Sequence, residues 1–335
     1  MLKKTKLYFI ENSFDYNGDD LNNMKIGGSE KTLINISNQL AKNEDLVVKV
    51  FNNTSNSSLI RNVHWKNIKE VTPLDKPDYV VAMSDANLLN ILNSNNNYLW
   101  SHSIQSFEKF IRKKQLIPFI RYKPIMILEG KYHYKNRNFL TSFFGKKILK
   151  IAPDDDFINT QIDIEFIPPP NAIFTTKSDR NLDFLIKAWE EIKINNLDSK
   201  LFINPPYSLK ESDKNNDIFV RTKGDKKLLI ENLKNSKVFI TPGHKTEVFC
   251  LAAEEARELC LPIVTMGYGS LYERVEHGVT GFIAKNMKEF VSYTNLILKD
   301  NTIYLELRKN LLKRKNSRNY NNVKDDFIKI LKIYD

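Results

Sequence analysis

Strand-like and helix-like segments alternate along the chain, and the alternation restarts after three successive prolines. Short apolar runs at 6–11 (KLYFIE) and 46–51 (LVVKVF) flank a segment, 30–42, in which apolar residues recur every three or four positions. Strands connected through helices in this way form parallel, doubly wound sheets. The prolines at 168–170 exclude helix and form a stiff, extended connector. The sequence therefore predicts an α/β protein with two such domains.

The proline connector sets the predicted domain boundary at residue 166. A length of 335 residues suits two domains of roughly 150 residues each. The first predicted domain is 1–166 and the second is 167–316. In the second, we predict strands at 172–175, 200–203, 238–241 and 263–265, and helices at 182–192, 226–233, 252–259 and 272–277, the last ended by Gly278. We expect a basic helix at about 317–335 to pack back on the first domain.

Composition excludes several classes of protein. Hydrophobic residues make up 41% and charged residues 27%, so disorder is not the main state. No apolar run approaches the roughly 18 residues of a membrane span, and the run at 7–10 is too short for a signal peptide. Cys250 and Cys260 lie in apolar patterns and are expected to be buried free thiols. We therefore expect a cytoplasmic protein.

The excess positive charge lies in one window. The net charge is +11, and residues 109–150 account for it with 12 Lys or Arg and one acidic residue, Glu129. Phenylalanine and tyrosine side chains interleave with these basic residues. Such a window suits an anionic membrane surface or anionic acceptor, a nucleic acid, or a merely solvated basic face. Nucleic acid is the least favoured of these interpretations.

The strongest chemical pattern is at 241–270 (TPGHKTEVFCLAAEEARELCLPIVTMGYGS). Glu247 and Glu255 lie on either side of a predicted helix start near residue 252. Backbone N–H groups at 249–252 would receive a phosphate or sugar hydroxyls at the helix N-terminus. The carboxylates would accept hydrogen bonds from the hydroxyls of a ribose or hexose. The alternative is a charged helix start without a ligand.

This segment resembles the donor-site signature of the retaining, GT-B-fold glycosyltransferases of family 4, the glycosyl transferases group 1. That signature has a Glu, then Phe-Gly-Leu, a second Glu eight positions after the first, an apolar strand and a Gly-Gly loop. The matching positions here are Glu247, Phe249, Leu251, Glu255, 261–264 (LPIV) and Gly267 with Gly269, followed by a similar turn at 274–284 (RVEHGVTGFIA). Cys250 replaces the usual Gly, and Tyr268 separates the two loop glycines.

The resemblance implies a GT-B fold, with two Rossmann-like, doubly wound domains that face each other across a cleft. The first domain would be on the acceptor side and the second would bind the nucleotide sugar. Glu255 would hold the ribose hydroxyls. Glu247 would hold the transferred sugar, beside the backbone amides of Phe249, Cys250 and Leu251.

The family also places a basic pair against the donor diphosphate. Lys177 and Arg180 occupy the corresponding strand-to-helix turn, where Arg can bind a phosphate through two hydrogen bonds and Lys adds a point charge. The alternative is an ordinary basic surface turn. Gly27 and Gly28 resemble the family's Gly-Gly-x-Glu loop, which faces the diphosphate and the acceptor, and Ser29 is expected to cap the following helix.

His102 follows a predicted strand at 98–100. This is the carboxyl end of the sheet, where α/β proteins bind ligands. The family often has a His here that contacts the transferred sugar near its anomeric carbon. The alternative is a histidine that is hydrogen-bonded within its own loop.

Together these assignments predict a retaining transferase that moves a hexose from a nucleotide diphosphate sugar to a hydroxyl, in cell-surface polysaccharide or glycolipid synthesis. Glu247, His102 and Arg180 would be the catalytic residues. The expected acceptor is an anionic or lipid-linked glycan, with the protein peripheral on the inner face of the membrane through 109–150. The resemblance implies that no metal or cofactor is needed. The Asp-x-Asp pattern at 154–156 could hold a metal ion but suits helix capping and a solvated turn better.

Two alternatives stay open. One is a nucleotide-sugar epimerase of the same fold; a phosphorylase of that fold is less favoured because a lysine-anchored cofactor motif is missing. The other is a non-catalytic basic protein that binds nucleic acid through 109–150, which a steep salt dependence would reveal.

Overall fold

The computed structural model describes residues 4–22, 26–205, 207–208, 210–222 and 225–333. The chain forms two compact units. The first comprises 1–151 together with 320–335, and the second comprises 152–319. Within the described residues, no helix is long and apolar enough to cross a membrane.

The first unit is built on an eight-stranded sheet with the order β3-β4-β2-β1-β5-β6-β7-β8. Neighbouring strands are parallel except β3 and β4. The strands are β1 (Thr5–Ile10), β2 (Leu46–Asn52), β3 (Ser58–Ile60), β4 (Val63–Asn67), β5 (Tyr79–Met83), β6 (Asn96–Trp100), β7 (Ile125–Leu128) and β8 (Lys146–Ile148). The helices are α1 (Gly28–Leu40), α2 (Phe107–Arg112), α3 (Leu116–Tyr122), α4 (Lys131–Lys135) and, from the end of the chain, α12 (Tyr320–Leu331).

The core of the first unit includes a residue from the end of the chain. The central strands β1, β5 and β6 carry apolar, largely buried runs at 7–10, 79–83 and 98–100, as strands covered on both faces require. The ring of Phe327 in α12 lies 5.8 Å from that of Phe9 and 5.3 Å from that of Trp100. The last helix is therefore part of the hydrophobic core of the first unit.

The second unit has a six-stranded parallel sheet with the order β11-β10-β9-β12-β13-β14. The strands are β9 (Ala172–Phe174), β10 (Leu201–Ile203), β11 (Ile218–Val220), β12 (Val238–Gly243), β13 (Ile263–Tyr268) and β14 (Gly281–Ile283). The helices are α5 (Asp155–Ile158), α6 (Leu182–Asn195), α7 (Glu211–Asn215), α8 (Lys226–Lys234), α9 (Leu251–Glu258), α10 (Met287–Lys299) and α11 (Asn301–Leu312). The predicted α/β class with two parallel sheets is confirmed.

Along the chain, the first compact unit ends at residue 151, which is 15 residues before the predicted boundary at 166. Residues 152–166 belong to the second unit because Phe157 is buried in its core beside Ile173 and Phe239. The guanidinium of Arg308 also donates to the carbonyl oxygens of Asp163 and Phe166. The prolines therefore lie inside the second unit, between α5 and β9.

Two local predictions are wrong. No α-helix forms at 272–277; a 3-10 helix at Gly269–Glu273 leads into a turn in which Gly278 donates to Gly281 O at 2.8 Å. Ser29 does not cap α1, because Gly27 occupies the N-cap position. The Ser29 hydroxyl instead donates to Glu30 Oε2 at 3.0 Å.

Candidate active site

In the second unit, the loop between β12 and α9 carries Glu247 and leads directly into the helix. Cys250 occupies the N-cap position of α9 in a left-handed conformation, with φ of 63°. This conformation is the one that the glycine of the resembled signature adopts freely, and a non-glycine residue pays about 1 kcal/mol for it. Burial raises the pKa of the Cys250 thiol well above its usual range. The thiol therefore stays neutral, and the residue contributes its backbone to the site.

The first turn of α9 leaves backbone donors for an outside acceptor. Cys250 O accepts from Ala253 N at 3.2 Å and from Glu254 N at 3.4 Å. The N–H groups of Leu251 and Ala252 come earlier in the helix and have no intrahelical acceptor, as at any helix N-terminus. They lie at the end of the helix dipole that attracts negative charge.

Arg180 and Glu247 form an ion pair. Arg180 Nε lies 3.2 Å from Glu247 Oε2, with about one fifth of each side chain exposed. Arg180 also donates to Thr246 Oγ1 at 2.5 Å. Lys177 is exposed in the turn that follows β9, where its carbonyl accepts from Arg180 N at 3.0 Å. The structure thus joins the predicted sugar-side carboxylate and the predicted phosphate-side guanidinium.

The two adjacent glutamates of α9 have different environments. Glu254 is buried and pairs with Arg257 at 2.6 Å and with Arg274 at 3.0 Å. Glu255 is partly exposed. Arg274 also stacks over the Phe249 ring at 4.0 Å and donates to Phe249 O at 2.7 Å. These contacts of Arg274 with Phe249 were not predicted, although Arg274 is the first residue of the matched turn at 274–284.

Of the two separated glycines, Gly269 packs against the loop that carries Glu247. Gly269 has φ of 68°, and a Cβ there would meet His244 O and, at 2.7 Å, Glu247 O. Ser270 N donates to Glu247 O at 2.9 Å. Gly269 is required because the backbone of this loop approaches it too closely for a side chain.

A lysine pairs with both aspartates of the Asp-x-Asp pattern at 154–156. Lys226 Nζ lies 2.8 Å from Asp154 Oδ2 and 2.9 Å from Asp156 Oδ2. Burial lowers the pKa of Lys226, but the two carboxylates outweigh it and hold the pKa above its usual value. Asp154 occupies the N-cap position of α5. It is buried, however, so the prediction of a solvated turn is wrong for this residue.

In the first unit, a cavity of about 260 Å³ opens at the carboxyl ends of β1, β5 and β6. This edge is where doubly wound sheets bind ligands. The residues that line the cavity are Glu11, Asn12, Tyr16, Ser29, Glu30, Met83, Ser84, Asp85, His102 and Lys113. His102 and the two residues after Gly28 thus border the same cavity.

His102 is held from behind by a buried carboxylate. His102 Nδ1 lies 2.6 Å from Glu129 Oε1, and Glu129 follows β7, the strand beside β6. Glu129 N donates to His133 Nδ1 at 3.3 Å. Burial lowers the pKa of His133 to about 4, and the charge of Glu129 only partly opposes this. Glu129, the single acidic residue of the window 109–150, therefore lies between His102, which lines the cavity, and His133.

Gly27 leaves room for a carboxylate. A Cβ at Gly27 would lie 2.8 Å from Glu30 Oε2. Gly28 begins α1, so Glu30 lies in the first turn, where a negative charge is favourable. The Gly-Gly loop thus permits Glu30 to approach the backbone beside the cavity.

The predicted site residues fall into two groups. Gly27, Gly28 and His102 belong to the first unit. Lys177, Arg180, Glu247, Phe249, Cys250, Leu251 and Glu255 belong to the second. Within each unit, the fold brings the predicted residues to the carboxyl ends of the parallel strands.

The window 109–150 exposes apolar as well as basic side chains. Ile117 is 78% exposed, Phe139 60% and Phe143 80%. The ring of Phe139 lies 5.3 Å from that of the partly exposed Phe107. Exposed basic residues accompany them: Arg112, Lys113, Lys114, Arg121 and Lys147.

Solved structures match the chain over nearly its whole length. WaaG, a glycosyltransferase involved in lipopolysaccharide biosynthesis, has a TM-score of 0.71 at 11% identity, covering 97% of this chain and 99% of that one. Sucrose-phosphate synthase from Thermosynechococcus elongatus has a TM-score of 0.70 at 12% identity, covering 98% and 99%. HepE from Anabaena, in complex with UDP-glucose, has a TM-score of 0.70 at 15% identity, with the same coverage. The chain therefore has the GT-B fold.

The family assignment comes from the second unit. Residues 175–318 match the family profile of glycosyl transferases group 1. This match lies within the second unit and confirms the resemblance to glycosyl transferases group 1 that was drawn from the segment containing Glu247 and Glu255. No curated protein sequence matches the chain.

Proposed function

We propose that the protein is a retaining glycosyltransferase that moves a hexose from a nucleotide diphosphate sugar to a hydroxyl acceptor. The observation that carries this proposal is the ion pair of Arg180 and Glu247, 3.2 Å apart, in the loops after β9 and β12 of a group 1 domain. The pair combines a phosphate-binding cation with a hydroxyl-binding anion. A nucleotide diphosphate sugar presents both groups.

In this proposal, each predicted side chain of the second unit contacts one part of the donor. Arg180 and Lys177 bind the diphosphate with the amides at the start of α9, and they stabilise its growing charge as the bond to the sugar breaks. Glu247 accepts hydrogen bonds from the sugar hydroxyls, and Glu255 accepts them from the ribose. HepE is solved with UDP-glucose, and this supports a uridine nucleotide as the first donor to test.

Transfer is proposed to proceed on one face of the sugar. The bond from the anomeric carbon to the phosphate oxygen breaks, and a bond to the acceptor oxygen forms on the same face. The acceptor proton passes to the leaving phosphate oxygen. His102 contacts the transferred sugar near the anomeric carbon. The products are a nucleoside diphosphate and a glycoside with retained configuration.

The reaction is proposed to need no metal ion. Lys226 already pairs with both Asp154 and Asp156, which supports this. Transfer should persist in excess EDTA. Loss of activity that Mn²⁺ restores would contradict the proposal.

Replacing Glu255 tests the donor site. Glu255→Gln should weaken nucleotide-sugar binding about three- to tenfold, because a neutral amide accepts hydrogen bonds from the ribose more weakly than a carboxylate. Titration calorimetry with UDP-glucose, GDP-mannose and related donors measures the effect. Glu190→Gln, an exposed glutamate of α6, is the matched control. Unchanged affinity in Glu255→Gln for a donor that binds the wild type would show that the ribose lies elsewhere.

We further propose that the acceptor is an anionic or lipid-linked glycan and that the basic window docks peripherally on the inner face of the membrane. Exposed Phe139 and Phe143 beside lysines suit such a surface, because apolar side chains enter the interface while Lys and Arg contact anionic headgroups.

Charge reversal tests the membrane proposal. Arg112, Lys114 and Lys147 changed to Glu should abolish binding to vesicles with anionic lipid, while donor affinity stays intact. The control reverses Lys187, Lys227 and Lys234, three exposed lysines of the second unit. Equal binding of the wild type to neutral and anionic vesicles, or binding to neither, would refute the proposal.

A further inference from the structure

The cavity of the first unit contains buried polar atoms that lack partners. Glu11 is 9% exposed and Tyr16 is 2% exposed. Glu11 Oε1 accepts from Ser13 N at 2.7 Å, and the Tyr16 hydroxyl interacts with the Glu11 carboxylate, which opposes the effect of burial on the pKa of Glu11. Beyond this contact, Glu11 Oε2, the Tyr16 hydroxyl and His102 Nε2 are buried without a hydrogen-bond partner among the described residues. Each such atom costs about 1–3 kcal/mol unless something satisfies it.

These atoms are mainly acceptors. Glu11 is a carboxylate, so its second oxygen accepts. Glu129 Oε1 lies 2.6 Å from His102 Nδ1, which favours a proton on that nitrogen, and a ring with this one proton presents Nε2 as an acceptor. The Tyr16 hydroxyl both donates and accepts. A matching ligand must therefore present several hydroxyl or amine donors.

The charge of the cavity further restricts which ligands can bind. Its walls carry three carboxylates, from Glu11, Glu30 and Asp85, against one lysine, Lys113. Burial holds the pKa of Glu11 above its usual range, and Glu30 adds to this. An added phosphate or carboxylate would face these carboxylates at close range, where like charges cost several kcal/mol.

The volume of the cavity suits a small ligand. About 260 Å³ is smaller than the roughly 300–1,000 Å³ of sites for drug-sized molecules. A single ring with its hydroxyls fits this size better than a longer oligosaccharide. The remaining lining groups, Asn12, Ser29 and Ser84, are neutral and polar.

We infer that this cavity binds one uncharged, hydroxyl-rich sugar ring and excludes rings that carry a phosphate or carboxylate. Its role as the acceptor's reacting ring rests on the proposed function. Any negative charge of the acceptor then lies outside the cavity, toward the basic window.

Binding of small glycosides to the full chain tests the inference. The probes are the methyl glycosides of glucose, galactose, mannose and N-acetylglucosamine, compared with glucuronic acid, glucose 6-phosphate and glucosamine, by saturation-transfer NMR titration. At least one neutral glycoside should bind at least tenfold more tightly than the two anions. Tyr16→Phe and Glu11→Gln should each weaken it about three- to tenfold, the effect of one lost hydrogen bond. Glu44→Gln, an exposed glutamate outside the cavity, should not.

Three results would overturn the inference: anions that bind as tightly as neutral rings, glucosamine that binds more tightly than any neutral ring, or no binding of any glycoside. If Tyr16→Phe does not fold, Glu11→Gln decides, because it should also narrow the discrimination against glucuronic acid. The donor titration of the Glu255→Gln experiment is independent. Donor binding without neutral-ring binding would refute this inference and leave the proposed function standing.

Discussion

His133 should make the first unit lose stability as the pH falls. It lies in α4, 1% exposed, and accepts from Glu129 N, so the folded protein holds it neutral. Burial lowers its pKa to about 4, with His102 and Lys109 adding to the effect and Glu129 opposing it. The unfolded chain has the ordinary histidine pKa, about 6.5.

The sign and size follow from proton linkage. Between these two pKa values the unfolded chain binds a proton that the folded chain does not, so stability present above pH 6.5 is lost as the pH falls towards 4. The loss is at most about 1.4 kcal/mol per pH unit. From pH 7 to pH 5, His133 should therefore remove roughly 2 kcal/mol.

A variant isolates this contribution from the other titrating groups. His133→Asn keeps an acceptor near Glu129 N but cannot be protonated. Native-state hydrogen exchange at the amides of β6 and β7 should show that the wild type loses roughly 2 kcal/mol more protection than His133→Asn between pH 7 and pH 5. His277→Asn, at an exposed position of the second unit, is the control. Equal losses in wild type and His133→Asn would refute the assignment of a neutral, buried histidine.

Other predictions address ion pairing and backbone space. Lys226→Met should destabilise the second unit by about 3 kcal/mol in urea unfolding, because it removes the cation that pairs with the buried carboxylate of Asp154. Lys227→Met, at an exposed position, should have little effect, and equal losses in the two variants would contradict this prediction. Gly269→Ala should abolish donor binding and lower the melting temperature strongly, since its Cβ would collide with backbone oxygens. Gly278→Ala, with open space around the new Cβ, should cost only about 1 kcal/mol. Gly27→Ala should weaken neutral-glycoside binding, because its Cβ would displace Glu30 Oε2 beside the cavity. The melting temperature should not fall, since the new Cβ would meet only this flexible side chain.

The fold class could be predicted from the sequence because strand and helix periodicities are local. Runs such as 79–83 are apolar throughout, as β5 requires, and the start of α9 lies within one residue of its prediction. The signature around Glu247 led to the correct group 1 domain. The compact units divide at residue 151 and not at 166, because the prolines show where helix is impossible but not which core the preceding Phe157 joins.

The sites were harder to predict because they depend on contacts between distant segments. Glu254 and Glu255 are adjacent in sequence, yet Glu254 is buried and pairs with Arg274, whereas Glu255 is partly exposed. Glu129 was one acidic residue in a charge count, and only the pairing of β6 with β7 brings it to His102. The cavity itself depends on three strand ends and could not be derived from any one motif.

The return of the chain to the first unit has a consequence for synthesis. Phe327 completes a core that begins with Phe9, and the 168 residues of 152–319 are made between the two parts of that unit. At roughly 5–20 residues per second, a ribosome needs on the order of 10–30 s for that stretch. During this interval the faces of β1 and β6 that α12 will cover are exposed. The second unit has its complete sequence once residue 319 is made, before α12 is synthesised. The second unit is therefore expected to fold first, and the first unit must stay free of aggregation until its final helix emerges.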